Sequence, residues 1–348
     1  MDLELRLLSW ADRAEWAAEV ERFGPLADVY FSAGYVHAYE ENGDGLGRCA
    51  IVREGEASLV VPYLECALPG REDGFDVQGA YGYGGPLLQG PPDFVARAWA
   101  AIELAWSKAG AVAAFFRLHP LLDQRAWLGE GWTTVEDRKT LSVDLRQGAT
   151  AAFASPRTGN HRNMVARARR AGLVVRREVL DDRRLEAFAG LYGETMLRLG
   201  AAESYQFGAP YFRSLATGLG SHLELFSAER SSGETEGMAL AMWGPRWGHY
   251  HLSARAADAD NCGTNLILQA VAEAAEARGL HALHLGGGRS PAPDDSLLRF
   301  KERIGTAQHS FRTARRILSP ARYEDEIERW SRQQGRPPSW FLGYRQPA

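Results

Sequence analysis

Phe300 and Lys301 stand near the end of a segment, 284–305, that reads HLGGGRSPAPDDSLLRFKERIG. The apolar run Leu280–Leu285 predicts a short strand that enters three glycines. A loop with two prolines and two aspartates follows, then a short helical piece carrying Phe300 and Lys301 and closed by Gly305. A cation placed after a strand-to-loop turn can meet negative charge developing on a reacting group. Glycines let backbone N–H groups approach a ligand closely. Three glycines alone mark a plain turn more often than a site. Followed by Phe-Lys-x-x-Ile-Gly they are more specific. The alternative for Lys301 is a surface lysine paired with Asp294, Asp295 or Glu302.

Residues 151–177 hold Arg157, Arg162, Arg167, Arg169 and Arg170 beside His161, with no acidic residue. Such density is an electrostatic footprint for phosphate. The competing reading is a solvated helix with Met164, Val165 and Ala168 as its apolar stripe. Tyr81–Pro86 is glycine-rich with two aromatic rings. Glycines flank Tyr83, so its ring, with that of Tyr81, can line an acceptor groove; otherwise the loop is a buried turn between strands. Tyr250, His251 and Ser253 lie on a predicted strand, where alternation puts His251 and Ser253 on one face and Tyr250 and Leu252 on the other. Arg117 and His119 precede Pro120 at a strand end and read as structural. No Ser-His-Asp or Cys-His set has a recognisable spacing, and no metal motif such as HExxH occurs.

Residues 284–305 resemble the glycine-rich strand end and Phe-Lys signature of the Fem-type aminoacyl-tRNA-dependent transferases. These belong to a GNAT-like superfamily whose members carry two tandem acyltransferase-type domains. Residues 81–87, YGYGGPL, resemble a segment of the first domain in that group, and FRLHPL at Phe116–Leu121 resembles its strand end. NHRNMVARARRAG at Asn160–Gly172 resembles the helix that opens the second domain. The four motifs keep the family's order over residues 30–318.

The resemblance implies an enzyme that moves an aminoacyl group from aminoacyl-tRNA to an amine acceptor and forms an amide bond. It implies that Lys301, with Phe300, sits beside the ester joining amino acid to tRNA. An aminoacyl ester is already activated, so the enzyme must align the two groups and stabilise the oxyanion. Tyr81, Tyr83, Tyr250, His251 and Arg289 are the expected substrate contacts. Arg162, Arg167, Arg169 and Arg170 are expected to meet tRNA or another phosphate. The partners implied are aminoacyl-tRNA, as co-substrate with no further cofactor, and a small peptide or nucleotide-linked acceptor; DNA is not expected. Two settings fit: a peptide-antibiotic pathway, as for pacidamycin-type nucleoside antibiotics, or a peptidoglycan precursor. The coiled-coil arm of some Fem proteins has no counterpart here.

Two other readings stand beside this one. An acyl-coenzyme A N-acyltransferase of GNAT type needs a glycine-rich loop opening a helix, so that N–H groups and the helix dipole face the pyrophosphate. The matching stretch, Asp260–Leu266 (DNCGTNL), has one glycine, with Asp258 before it and Asp260 opening it. Acids there repel phosphate. Asn265 is the expected cap of its helix. The third reading is a non-catalytic binding protein of the same fold.

The elements that must position these residues are alternating helices and strands, an α/β chain with α+β mixed sheets in tandem GNAT-like domains. Helices are expected over Ala11–Arg22, Phe31–Glu41, Ala96–Ala109, Asn160–Ala171, Arg184–Leu199, Pro210–Gly218, Asn265–Arg278 and Arg322–Gln333. Strands are expected over Arg48–Arg53, Ala57–Glu65, Ala111–Leu118, Thr140–Leu145, Leu223–Glu229, Glu236–Trp243, Trp247–Ala254 and Gln308–Leu318. A length of 348 residues favours two domains. The small, polar stretch Gln147–Pro156 suggests a division into 1–150 and 151–348.

Residues 1–150 hold 13 Lys and Arg against 23 Asp and Glu, and 151–348 hold 27 against 21. The basic half suits a phosphate-bearing ligand. Cys49, Cys66 and Cys262 form no CxxC pair and read as reduced, buried thiols. No apolar run is long enough to span a membrane, and the acidic N-terminus lacks a signal peptide's basic start. A cytoplasmic location without integral membrane association is expected.

Overall fold

The computed structural model describes residues 3–202, 205–290, 292 and 294–347. It divides into two compact units. One comprises residues up to Gly24, Tyr30–Asp137 and Phe311 onward; the other comprises Pro25–Val29 and Arg138–Ser310.

The first unit begins with β1 (Glu4–Leu8), α1 (Arg13–Glu21), α2 (Ala33–Glu41), β2 (Leu46–Glu54), β3 (Ala57–Ala67) and β4 (Phe75–Gln78). It continues with β5 (Leu87–Gln89), α3 (Pro92–Ala109) and β6 (Ala111–Arg117). Strand β7 (Thr133–Asp144) carries the chain into the second unit. There follow α4 (Ala149–Phe153), α5 (Gly159–Arg170), β8 (Val174–Glu178), α6 (Asp182–Arg198), α7 (Ala209–Leu219), β9 (Leu223–Glu229) and β10 (Thr235–Trp243). Next come β11 (Trp247–Arg255), α8 (Asn261–Ala277), β12 (Ala282–Gly287) and α9 (Ser296–Glu302). Strand β13 (Ala307–Ile317) returns the chain to the first unit, which ends with α10 (Pro320–Gln334).

In the first unit the strands run β1-β2-β3-β4-β6-β13, with β5 also on β3. The turn at Gly55, φ +60°, closes a hairpin paired from Leu46↔Glu65 to Glu54↔Ala57. Helix α3 starts on Pro92 and stops at Gly110 in the left-handed conformation, the expected asymmetry of helix ends. Its face of Phe94, Ala98, Trp99, Ile102 and Trp106 packs on Val52, Leu59, Val61 and Tyr63 of the hairpin. Trp330 of α10 joins Leu68, Val112 and Ala113 in a separate cluster.

In the second unit the order is β7-β12-β11-β10-β9-β8. Helix α8 lays Ile267, Leu268, Val271, Ala272 and Ala275 on Phe226, Ala239, Ala241, Leu283 and Leu285. Each large aliphatic buried there contributes about 1.5–3 kcal/mol, and the alanines let the helix approach the sheet closely.

The units divide at 137/138 and 310/311, not at 150. Residues 147–156 contain α4, whose Ala149 and Phe153 are buried in the second unit's core. Small size there reflects close packing, not a linker. Helix α8 begins four residues before Asn265, because Asp260 accepts from the Cys262 amide and caps it. Asn265 is therefore a buried residue inside the helix. Among the described residues the longest helix, α3, has 18 residues, and none is long and apolar enough to cross a membrane.

Candidate functional site

Gly286 and Gly287 end β12, Gly288 follows, and the loop after them is organised by one carboxylate. Asp295 accepts from the amides of Arg289 at 2.9 Å, Ser290 at 3.1 Å and Leu298 at 2.8 Å. It is thus both the cap of α9 and the staple of the glycine loop. Amides aimed at it hold its carboxyl below the usual carboxylate range despite burial. Gly286 has φ +75°, and a Cβ on Gly288 would lie 2.7 Å from Asp295 Oδ1. Arg138 clamps the loop from β7, donating to the carbonyls of Gly288 and Arg289 at 3.2 and 2.9 Å. Pro291 and Pro293 lie outside the described residues.

Helix α9 brings Lys301 back to this strand end. Its Nζ donates to the Gly287 carbonyl at 2.7 Å. Burial pushes its pKa down from 10.5 to about 8, partly opposed by the negative charge of Asp295. Lys301 is therefore a fixed, partly dehydrated cation, not a solvated surface lysine. Phe300 packs on the core of the second unit. Arg289 braces the start of α9 through Ser296 Oγ at 3.0 Å.

The carbonyl that Lys301 meets lies beyond the last rung between two parallel strands. β11 and β12 pair only at Trp247↔Ala282, Gly248↔Leu283 and His249↔His284. Past that rung β12 pairs with β7 alone and β11 with β10 alone, so the sheet splits. Tyr250, His251 and Ser253 follow on the β11 side. A bulge sets Tyr250 opposite Ala241 and Leu252 opposite Leu240, leaving His251 as the extra residue. The simple alternation expected from sequence fails there. Tyr250 and Ser253, opposite Ala241 and Ala239, share the face of the α8 core, and Tyr250 packs against it. Burial raises the Tyr250 phenol to about 12, with Ser253 opposing the shift. Burial, with the charge of His249, lowers His251 to about 3, so its ring is neutral.

Sequence reasoning missed a row of polar side chains on the other face. His249 of β11, His284 of β12 and Ser142 of β7 are successive in-register partners. All three are buried. Asp28 accepts from His249 Nε2 at 3.0 Å, and the His249 and His284 rings are 5.7 Å apart. The His309 ring lies 6.4 Å from that of His284, and its Nε2 is 2.8 Å from Ser142 Oγ. The signal available in sequence was one polar residue at the middle of each apolar triplet, LSV and LHL.

The basic helix α5 divides in role. Arg162 is spent on structure, donating to the carbonyls of Phe153 and Ser155 and to Thr158 Oγ1. Arg167 pairs with Asp260 at 2.8 Å. Arg169 and Arg170 are exposed and carry no ion pair among the described residues. His161 is buried between Asn265 Oδ1 at 2.8 Å and Gln269 Oε1 at 3.2 Å, and belongs to the α5–α8 packing, not to a phosphate surface. Arg157 Nε donates to the carbonyl of Glu302 at 3.3 Å, so the basic segment reaches the end of the Lys301 helix.

Tyr81 and Tyr83 lie in the first unit. Gln124 fixes their loop, donating to the carbonyls of Gly84 and Pro86 at 2.9 and 2.8 Å while accepting from the His119 amide. The Arg117 guanidinium stacks over Tyr81 at 5.5 Å, and Tyr83 packs edge-on against Tyr30 and Phe311.

No protein-family model matches the sequence, and no curated protein does. Solved structures match by fold. The chain superimposes on a crystal structure of FemX with a TM-score of 0.69 and 14% identity, covering 92% of this chain and 99% of that one. It matches L-PGS from Bacillus licheniformis with a TM-score of 0.59 and 13% identity over 86% and 91% of the two chains. A tandem GNAT protein from the clavulanic acid biosynthesis pathway gives a TM-score of 0.51 and 12% identity over 90% and 98%. The fold is that of the Fem and tandem GNAT proteins, as the sequence motifs implied.

Proposed function

We propose that this protein is an acyltransferase that moves an aminoacyl group from aminoacyl-tRNA to an amine, forming an amide. The observation that carries the reading is the ammonium of Lys301, held 2.7 Å from the Gly287 carbonyl at the opening between β11 and β12. An acyl carbonyl placed in that opening would find a preoriented cation for its oxyanion. Removing one such donor typically costs about 2.7–4 kcal/mol of barrier stabilisation. Phe300 fixes the helix by packing, and Tyr250 and His251 line the other lip.

The start of α8 favours tRNA over coenzyme A as donor. A pyrophosphate needs free N–H groups at that end. Here the Asp260 carboxylate already accepts from the Cys262 amide and pairs with Arg167. Arg169 and Arg170 on α5, with Arg157 at the end of α9, offer the positive charge an acceptor stem would use. FemX as a fold neighbour accords with this reading. The acceptor would be a small peptide or a nucleotide-linked amine, in an antibiotic pathway or on a peptidoglycan precursor. An N-acyltransferase using acyl-coenzyme A is the second reading, in accord with the tandem GNAT neighbour.

The test is to incubate the protein with radiolabelled aminoacyl-tRNA, or with labelled acetyl-coenzyme A, and a total small-molecule extract. Label passing from tRNA into an amide product supports the proposal. Label passing only from coenzyme A selects the second reading, and transfer from neither leaves a binding protein.

A further inference from the structure

The reaction proposed above needs a proton acceptor, and among the described residues no single side chain at the opening serves. His251 is neutral and tied to the bulge in β11, and Lys301 is the cation. The row on the opposite face, Asp28–His249–His284–His309, has the composition of a proton path. Its members come from four segments: the stretch before α2, then β11, β12 and β13. The β11–β12–β7 register, with the Ser142–His309 contact, places their side chains in line across the sheet.

Resting on the proposed transfer, we infer that this row takes the proton released by the attacking amine and passes it to solvent at His309. The His249–His284 rung is the last before the strands part, so the row starts at the closed end of the opening. Gly287, which holds Lys301, is three residues farther along β12, about 10 Å at strand spacing. That separation calls for water between the amine and His284. Ring centroids 5.7 and 6.4 Å apart allow passage from one imidazole to the next, directly or through one water. Asp28, buried and 3.0 Å from His249, holds that ring in place at the inner end. His309 is half-buried and gives the row its outlet. Ser142 lies against it and can accept from or donate to His309, and His251, which responds to His249, stays neutral. Burial lowers the pKa of His309, which eases release of its proton.

The balance closes without a co-reactant. The acceptor ammonium gives one proton to the row. The free amine attacks the ester carbonyl and forms the C–N bond. The tetrahedral intermediate breaks its C–O bond, and a second N–H proton goes to the departing ribose oxygen. The first proton leaves through His309.

Two measurements on the full chain test this. In ring-nitrogen NMR titration, His284→Gln should move the midpoint of His309, because charges at this spacing interact appreciably. In single-turnover transfer, His284→Gln and Asp28→Asn should each lower the rate about 10²-fold at neutral pH, with KM nearly unchanged and the acid limb of the pH profile displaced. Circular dichroism identifies any variant that has unfolded, and the near-isosteric Asp28→Asn then carries the kinetic arm. An independent titration of each histidine overturns the row even if the donor proves not to be tRNA. Wild-type rates with an unmoved acid limb overturn it if transfer from tRNA is confirmed.

Discussion

Lys301 Nζ and the carbonyl oxygen of Gly287 are 2.7 Å apart across fourteen residues of chain, so the cation on α9 is anchored to the end of β12. Between them, the Asp295 carboxylate fixes both the loop and the start of the helix. The position of the charge is a property of the backbone at a split sheet, not of a flexible side chain. That makes its contribution separable from simple binding.

The half-buried ammonium should leave a trace in stability. Its pKa is about 8 in the fold against 10.5 in a free chain. Below pH 8 it is charged in both states, and the fold carries the whole dehydration cost. As pH rises from 8 to 10.5 the folded state loses its proton first, and wild type gains stability over Lys301→Met, up to about 3 kcal/mol. Urea unfolding of both proteins at pH 7 and pH 9.5 checks this. A difference that does not change with pH would mean that Lys301 is solvated.

Gly288→Ala should disorganise the site without touching any reacting group. The added methyl would meet Asp295 Oδ1 at 2.7 Å. The carboxylate would have to leave two loop amides or the start of α9, at about 1–3 kcal/mol. Denaturant midpoints should fall, and so should transfer rates, because Lys301 would lose its orientation. An unaltered midpoint and rate would show that Asp295 has slack.

The arginines of α5 should separate by role. Arg169→Glu with Arg170→Glu should weaken tRNA binding and flatten its dependence on log salt by about 0.7–0.9 per lost contact. Arg162→Ala should instead cost stability, on the order of 1–2 kcal/mol, because its bonds go to backbone carbonyls. Filter binding across a salt series, with thermal melts, distinguishes the two. Equal RNA affinity in all variants would make α5 a solvated helix.

Acetyl-coenzyme A should bind with a dissociation constant in the millimolar range, about 4 kcal/mol of affinity. The cap at α8 is occupied by Asp260 and its partner Arg167. Calorimetric titration giving low-micromolar binding would favour the coenzyme A reading.

Much of this architecture is legible in the sequence, because apolar periodicity and glycine stops are local. Helices α5, α6, α7 and α10 and strands β9, β10 and β11 fall within a few residues of their expected limits. Strand β1 and edge strand β8 are not apparent, since ELRLL and VVRRE are half-exposed and lean on partners far along the chain. The start of α8 was obscured because Asp260 reads equally as loop acid or cap. Around the site, the Phe-Lys segment stood out through its resemblance to the Fem signature, while its residues alone left Lys301 open as a surface cation. The bulge at His251 and the histidine row could not. Both depend on strand register and on contacts between residues as distant as Asp28 and His249. The arginine density of α5 was visible, but its use was not: two of the four arginines expected to meet phosphate are held by carbonyls or a carboxylate.

Single-turnover transfer by Lys301→Ala tests the central claim most directly. If the ammonium acts on the oxyanion and not on the bound substrate, the rate should fall by about 10²-fold or more with KM little changed. Lys301→Arg should recover only part of it, since the guanidinium differs in shape and reach. Phe300→Ala should act mainly through binding and packing. A Lys301→Ala protein that turns over like wild type would contradict the assignment of this site.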